Sequence, residues 1–100
     1  MKKSYGRLLD VKEDQEGRKI HLYLNIYKHI INYHDKIEIW AQYWMDVIQN
    51  ITPVKAGNAW FYNKVVDGLK FQIRVVQEQG IYLIKTAIIS EGYIQGFGRK

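Results

Sequence analysis

Trp60-Phe61-Tyr62-Asn63-Lys64-Val65-Val66-Asp67-Gly68-Leu69-Lys70-Phe71-Gln72-Ile73-Arg74-Val75-Val76 consists of two strand-like runs joined by Asp-Gly. That dipeptide is what a two-residue type I′ hairpin requires. In the second run Leu69, Phe71, Ile73 and Val75 fall on alternate positions and form a core face, while Lys70, Gln72 and Arg74 point away. A third run, residues 81–89, follows Gln77–Gly80. Turns this short join only antiparallel neighbours, so this half of the chain is expected to be a three-stranded meander.

Working back toward the start, Val54–Asn58 reads as a loop and Thr52-Pro53 as a helix stop. Ahead of it Ile37, Trp40, Ala41, Trp44, Val47, Ile48 and Ile51 recur at three- and four-residue spacing. This is an amphipathic helix over residues 35–50, with Asp35 and Glu38 resembling a capping box and two tryptophans to bury. The run Lys28 to His34 is ambiguous between strand extension and a helical turn. Before it, Ile20, Leu22, Leu24 and Ile26 alternate with His21, Tyr23, Asn25 and Tyr27, the pattern of a half-buried strand with one more polar face. Residues 1–19, with the acidic stretch Asp10 to Glu16, read as an arm or a loop-and-turn entry. The expected fold is therefore α+β: an N-terminal strand and one long amphipathic helix packed on an antiparallel three- to four-stranded sheet. Residues 20–100 would make a single domain.

One hundred residues suffice for one hydrophobic core. At 47% hydrophobic and 25% charged, with one proline, the composition is that of a folded protein. Cysteine is absent, which excludes a disulfide framework and thiolate metal sites and favours a cytoplasmic setting. No apolar run approaches the roughly 20 residues of a membrane span, and the basic start Met1-Lys2-Lys3 lacks the apolar stretch of a signal peptide.

The formal charge is +5, and it is unevenly spread. Residues 51–100 carry seven basic side chains (Lys55, Lys64, Lys70, Arg74, Lys85, Arg99, Lys100) against three acidic ones (Asp67, Glu78, Glu91), a net of +4. Such a half-domain attracts polyanions and releases their counterions on binding. Eight tyrosines and three tryptophans interleave with the charges, which suits base stacking as well as it suits an aromatic core.

His29 and His34 flank Ile30-Ile31-Asn32-Tyr33 just before the long helix. A spacing of five places them on neither one helix face nor one strand face, which disfavours a shared metal. Acid–base work suits them better, with structural packing as the plainer alternative. Arg74 lies mid-sheet on the polar face. Lys85-Thr86 interrupts an apolar run, where a lysine has reason to act as a phosphate ligand or charge stabiliser. No glycine-rich phosphate loop or serine nucleophile elbow is present.

Taken in order, these elements resemble the Barnase–EndoU–colicin–RelE nuclease superfamily, particularly its phage-associated branch. The likeness rests on the strand, on His29-Ile30-Ile31-Asn32-Tyr33-His34 leading into a helix opening Asp35-Lys36-Ile37-Glu38, and on a meander ending Ile84-Lys85-Thr86-Ala87. The resemblance implies a metal-independent RNA endonuclease, often a toxin, without cofactors. One of His29 and His34 would take the 2′-OH proton and the other would protonate the leaving 5′ oxygen. Lys85 and Thr86 would complete the catalytic group. Arg74, Lys64, Tyr93 and Arg99 would bind substrate. RNA would be the partner, accompanied by an antitoxin or immunity protein in the case of a toxin. A non-catalytic basic protein of a phage or mobile element, docking on nucleic acid or on an anionic host protein, uses the same basic face and aromatics. A homo-oligomeric assembly protein is the third reading.

Overall fold

In the computed structural model the described residues are 5–33, 37–94 and 97, with side chains described except at 33 and 37–42. Eight elements follow one another: β1 (Leu8–Glu13), β2 (Lys19–Tyr23), α1 (Leu24–Tyr33), α2 (Ile37–Asn50), β3 (Val54–Ala56), β4 (Ala59–Val66), β5 (Leu69–Glu78) and β6 (Ile81–Ser90). The strands form one six-stranded sheet in the order β1-β2-β6-β5-β4-β3. Every neighbouring pair is antiparallel except β2 and β6, which run parallel. From β2 the chain crosses through both helices to the far edge, and the meander then walks back until β6 meets β2.

This corrects the expected fold in four places. The sheet has six strands and is mixed, where an antiparallel sheet of three or four was expected. Two helices, not one long one, cover it. The N-terminal region read as an arm or loop contains β1, paired with β2 from Leu8↔Tyr23 to Glu13↔Lys19. The loop assigned to Val54–Asn58 contains β3, paired with β4 through Val54↔Phe61, Lys55↔Trp60 and Ala56↔Ala59.

Why the N-terminal strand stops early is visible in its neighbours. The alternation from Ile20 continues formally to Ile26, yet Ile26, Tyr27 and Ile30 also fit a helical face, and these three pack on the core. The N–H groups of Leu24 and Asn25, orphans of the first helical turn, donate to the carbonyls of Arg7 and Tyr5 at 2.8 Å each. Tertiary hydrogen bonds thus settle a segment that its own pattern leaves undecided. Asp35, the expected helix cap, lies outside the described residues, and α2 is described from Ile37.

The meander has the expected strand order and the expected Asp67-Gly68 turn, while the second connection, expected over Gln77–Gly80, shortens to Gln79-Gly80 because Gln77 and Glu78 extend β5. Both two-residue turns have their central residues in the left-handed region: Asp67 and Gly68 at φ 51° and 80°, Gln79 and Gly80 at φ 52° and 82°. This is the type I′ signature, and glycine in second place avoids the Cβ penalty.

Register partners share a face of the sheet. Phe71, Ile73 and Val75 of β5 oppose Ile89, Ala87 and Ile84 of β6, and Tyr62 and Trp60 of β4. These residues, with Ile20 and Leu22, meet Ile30 of α1 and Trp44, Val47 and Ile48 of α2 in one cluster. Each large side chain buried there contributes about 1.5–3 kcal/mol. Both helices therefore lie on this face, and among the described residues the opposite face carries no helix. No helix among the described residues is long and apolar enough to cross a membrane.

Candidate functional site

The helix-free face carries Lys70, Gln72, Arg74, Thr86 and Asn63 among the apolar side chains Phe61, Val76, Leu83 and Ile88, and a β-bulge shapes it. Arg74 pairs with Thr86, but its neighbour Val75 pairs with Ile84, so Lys85 is an extra residue in β6. Strict alternation would send Thr86 into the core after Ile84. The bulge instead turns Lys85 and Thr86 together toward the polar face and returns Ala87, 1% exposed, to the core opposite Ile73. A doublet of polar residues inside an apolar strand is accommodated without a buried charge.

Across this face one row runs Thr86, Arg74, Phe61, Val54. The Arg74 guanidinium stands over the Phe61 ring, 5.1 Å from its centroid. Its Nε is buried and has no hydrogen-bond partner, and among the described residues no carboxylate pairs with it. A guanidinium has five N–H donors, so one without a carboxylate partner keeps donors for an incoming anion.

Beside this row lies an aromatic strip. His21 and Tyr23 project from β2 on the same side, because His21 is the register partner of Leu83. Their rings stack at 6.2 Å with an interplanar angle of 11°. Tyr5 follows at 5.7 Å from Tyr23, and the Lys85 ammonium sits 5.5 Å from the centre of the Tyr5 ring. Lys85 also lies 3.6 Å from Glu78, to which the Tyr5 hydroxyl donates. That bond, with burial and the negative charge of Glu78, raises the Tyr5 pKa above its ordinary value. Lys70, on the same face, donates to the carbonyl of Gly92 at 3.0 Å, which draws the chain after β6 back toward β5.

The expected site residues divide between the two sides. Arg74, Lys85 and Thr86 come together on the polar face. His29 is exposed on α1, in the helical layer, so the sheet stands between it and those three. Lys64 opposes the core residue Phe71 and approaches Asp46 of α2 at 4.0 Å, which places it on the helical side as well. Tyr93 is 83% exposed beyond the end of β6. His34 and Arg99 lie outside the described residues. His29 is thus not brought together with Lys85 and Arg74, because the segment after β2 folds as a helix on the core face.

Four residues of this face were not singled out as site residues from the sequence: His21, Tyr23, Tyr5 and Glu78. For His21 the signal was present, since the alternation of Ile20 and Leu22 already places His21 and Tyr23 together on the polar side. Tyr5 and Glu78 meet across 73 positions, a contact no local pattern announces. Among the described residues, no three His, Asp or Glu side chains lie close enough to share a metal ion.

Compared with known proteins, the chain matches no family model, no curated protein and no solved structure.

Proposed function

We propose that this protein docks single-stranded nucleic acid on the helix-free face of its sheet, as a binding protein in a cytoplasmic setting. The observation that carries the reading is Arg74: a guanidinium held over the Phe61 ring with no carboxylate partner among the described residues, set beside Lys85 and the Thr86 hydroxyl. In-plane N–H groups of this kind match the paired oxygens of a phosphate. Tyr23 and Tyr5 offer ring faces next to these cations, and stacked bases bind such platforms with little regard to sequence. The net charge of +5 supplies the long-range attraction. Hydrolysis by a pair of histidines has less support, because His29 lies across the sheet from the cations.

The test is fluorescence anisotropy with a labelled oligouridylate at several salt concentrations. Arg74→Gln and Lys85→Gln should each weaken binding and lower the salt slope by about 0.7, the value for one phosphate contact on a single strand. Lys64→Gln and His29→Ala, on the helical side, should bind as the parent protein does. Absence of binding, or equal losses from Lys64→Gln and Arg74→Gln, would refute the proposal.

A further inference from the structure

His21 is held in an unusual way for an exposed-face histidine. Its Nδ1 lies 3.1 Å from the carbonyl oxygen of Lys19 and 3.1 Å from that of Tyr82. Both partners only accept, so Nδ1 carries the hydrogen and donates it. Because both carbonyls belong to strand backbone, β2 and β6 themselves fix the tautomer. In the neutral ring the remaining nitrogen, Nε2, is then a lone-pair acceptor. In the imidazole ring it lies across from Nδ1, the atom that faces the two backbone carbonyls.

The surroundings of this acceptor limit what it can take. It belongs to the strip of His21, Tyr23 and Tyr5, with Lys85 at the far end of that strip. Arg74 stands two strands away and about 12 Å distant by strand spacing and rise. A ligand whose phosphates reach Arg74 and Lys85 lays its sugar-base units along the strip. The donor that such a unit offers from its sugar is the ribose 2′-hydroxyl, which DNA lacks.

We infer that His21 Nε2 accepts a hydrogen bond from a ribose 2′-hydroxyl, so that this face selects RNA over DNA. The inference rests on the docking proposal and adds the class of nucleic acid. Phosphate contacts alone carry no such preference, since both polymers present the same phosphodiester.

The experiment compares three labelled single strands of equal length: oligouridylate, oligodeoxyuridylate and 2′-O-methyl oligouridylate. It is run at about pH 8, above the range in which free imidazole titrates. The expected result is that the ribo-oligonucleotide binds about three- to tenfold more tightly than the other two, the worth of one neutral hydrogen bond. The methylated strand keeps the sugar oxygen and replaces the donor hydrogen with a methyl group, so it tests the contact without altering the protein. His21→Phe should then bring the ribo-to-deoxy affinity ratio to about one, whatever it does to the affinity both strands share. Equal affinity of the parent protein for all three strands, or an unchanged ribo-to-deoxy ratio in His21→Phe, would overturn the inference while leaving the docking proposal standing. Absence of binding to any strand would overturn both.

Discussion

The Tyr62 hydroxyl donates a 2.7 Å hydrogen bond to Asp14 Oδ2, tying the turn between β1 and β2 to the middle of β4 across 48 positions. Asp14 is 6% exposed and also accepts from Arg18 Nη1 at 2.6 Å, from the Arg18 backbone at 2.8 Å and from the Glu16 backbone at 3.0 Å. The same turn reaches the end of α2, where Gln15 donates to the Asn50 carbonyl at 3.1 Å and accepts from Thr52 at 2.8 Å. The acidic stretch of the sequence is therefore a structural clasp between sheet and helix. Tyr62→Phe removes one donor from a buried carboxylate and should cost about 1–3 kcal/mol. Asp14→Ala should cost more, because Arg18 and Tyr62 both lose their acceptor. Urea unfolding checks this: the midpoint should fall with an unchanged slope, and an unmoved midpoint in Tyr62→Phe would show that the bond contributes nothing.

The same clasp sets the pH dependence of stability. Burial pushes the Asp14 carboxyl upward, but the hydrogen bonds from Tyr62 and Arg18 outweigh it and hold the group below its ordinary value. Its contribution is fully present above the unfolded value of about 4 and is lost as pH falls through the folded value. Tyr62 behaves in the opposite sense: burial, then its bond to Asp14, raises its pKa. That contribution is present below the unfolded value of about 10 and disappears as pH climbs through the folded one. Stability should therefore be flat near neutrality and fall on both sides. In Tyr62→Phe both limbs should become shallower, and an alkaline limb identical to that of the parent protein would contradict the assignment.

The two type I′ turns invite a comparison of opposite signs. A Cβ added at Gly68 would meet nothing within 4 Å, so any cost of Gly68→Ala is conformational, arising from φ 80°. About 1–2 kcal/mol is expected. In the second turn Gln79 holds φ 52°, a region that asparagine tolerates better. Gln79→Asn should raise the thermal midpoint. A fall would mean that the Gln79 side chain makes a contribution of its own.

Local chemistry announced the meander, with Asp67-Gly68 and the alternation through Ile73 fixing turns, register and core face. It also announced α2, whose Trp44, Val47 and Ile48 lie where helical spacing puts them. Long-range pairing was not readable. Val54–Ala56 is too short to show a period, and the Leu8–Glu13 strand is interrupted by a register shift between Leu8 and Asp10 that breaks its alternation. The parallel contact of β2 with β6 depends on where the whole meander ends. The candidate site followed the same division. Arg74 was visible on the polar face of an alternating strand and Lys85 as a cation inside an apolar run, whereas the separation of His29 from them depends on the helical fate of residues after Tyr23.

The bulge yields the sharpest test of how sequence positions the polar face. Because Lys85 has no register partner on β5, deleting it leaves Ile84 opposite Val75 and Thr86 opposite Arg74, which is an unbroken ladder. Every core residue of β6 keeps its side, and the losses are a partly exposed ion pair with Glu78, the ammonium contact with the Tyr5 ring and the local twist that a bulge adds. The deletion should therefore fold, with stability within about 1 kcal/mol of the parent, since partly exposed ion pairs contribute little. Removing Gln72 from β5 provides the contrast. That position is regularly paired, and a one-residue slip there sends either Phe71 or Ile73 out of the core, so the chain should not fold. Dispersed amide resonances in the Lys85 deletion and their collapse in the Gln72 deletion would establish that Lys85 is an insertion which presents a cation. In that case the folded Lys85 deletion should also bind the ribo-oligonucleotide more weakly than the parent. An unfolded Lys85 deletion would mean instead that the bulge is needed to close the sheet around the helices.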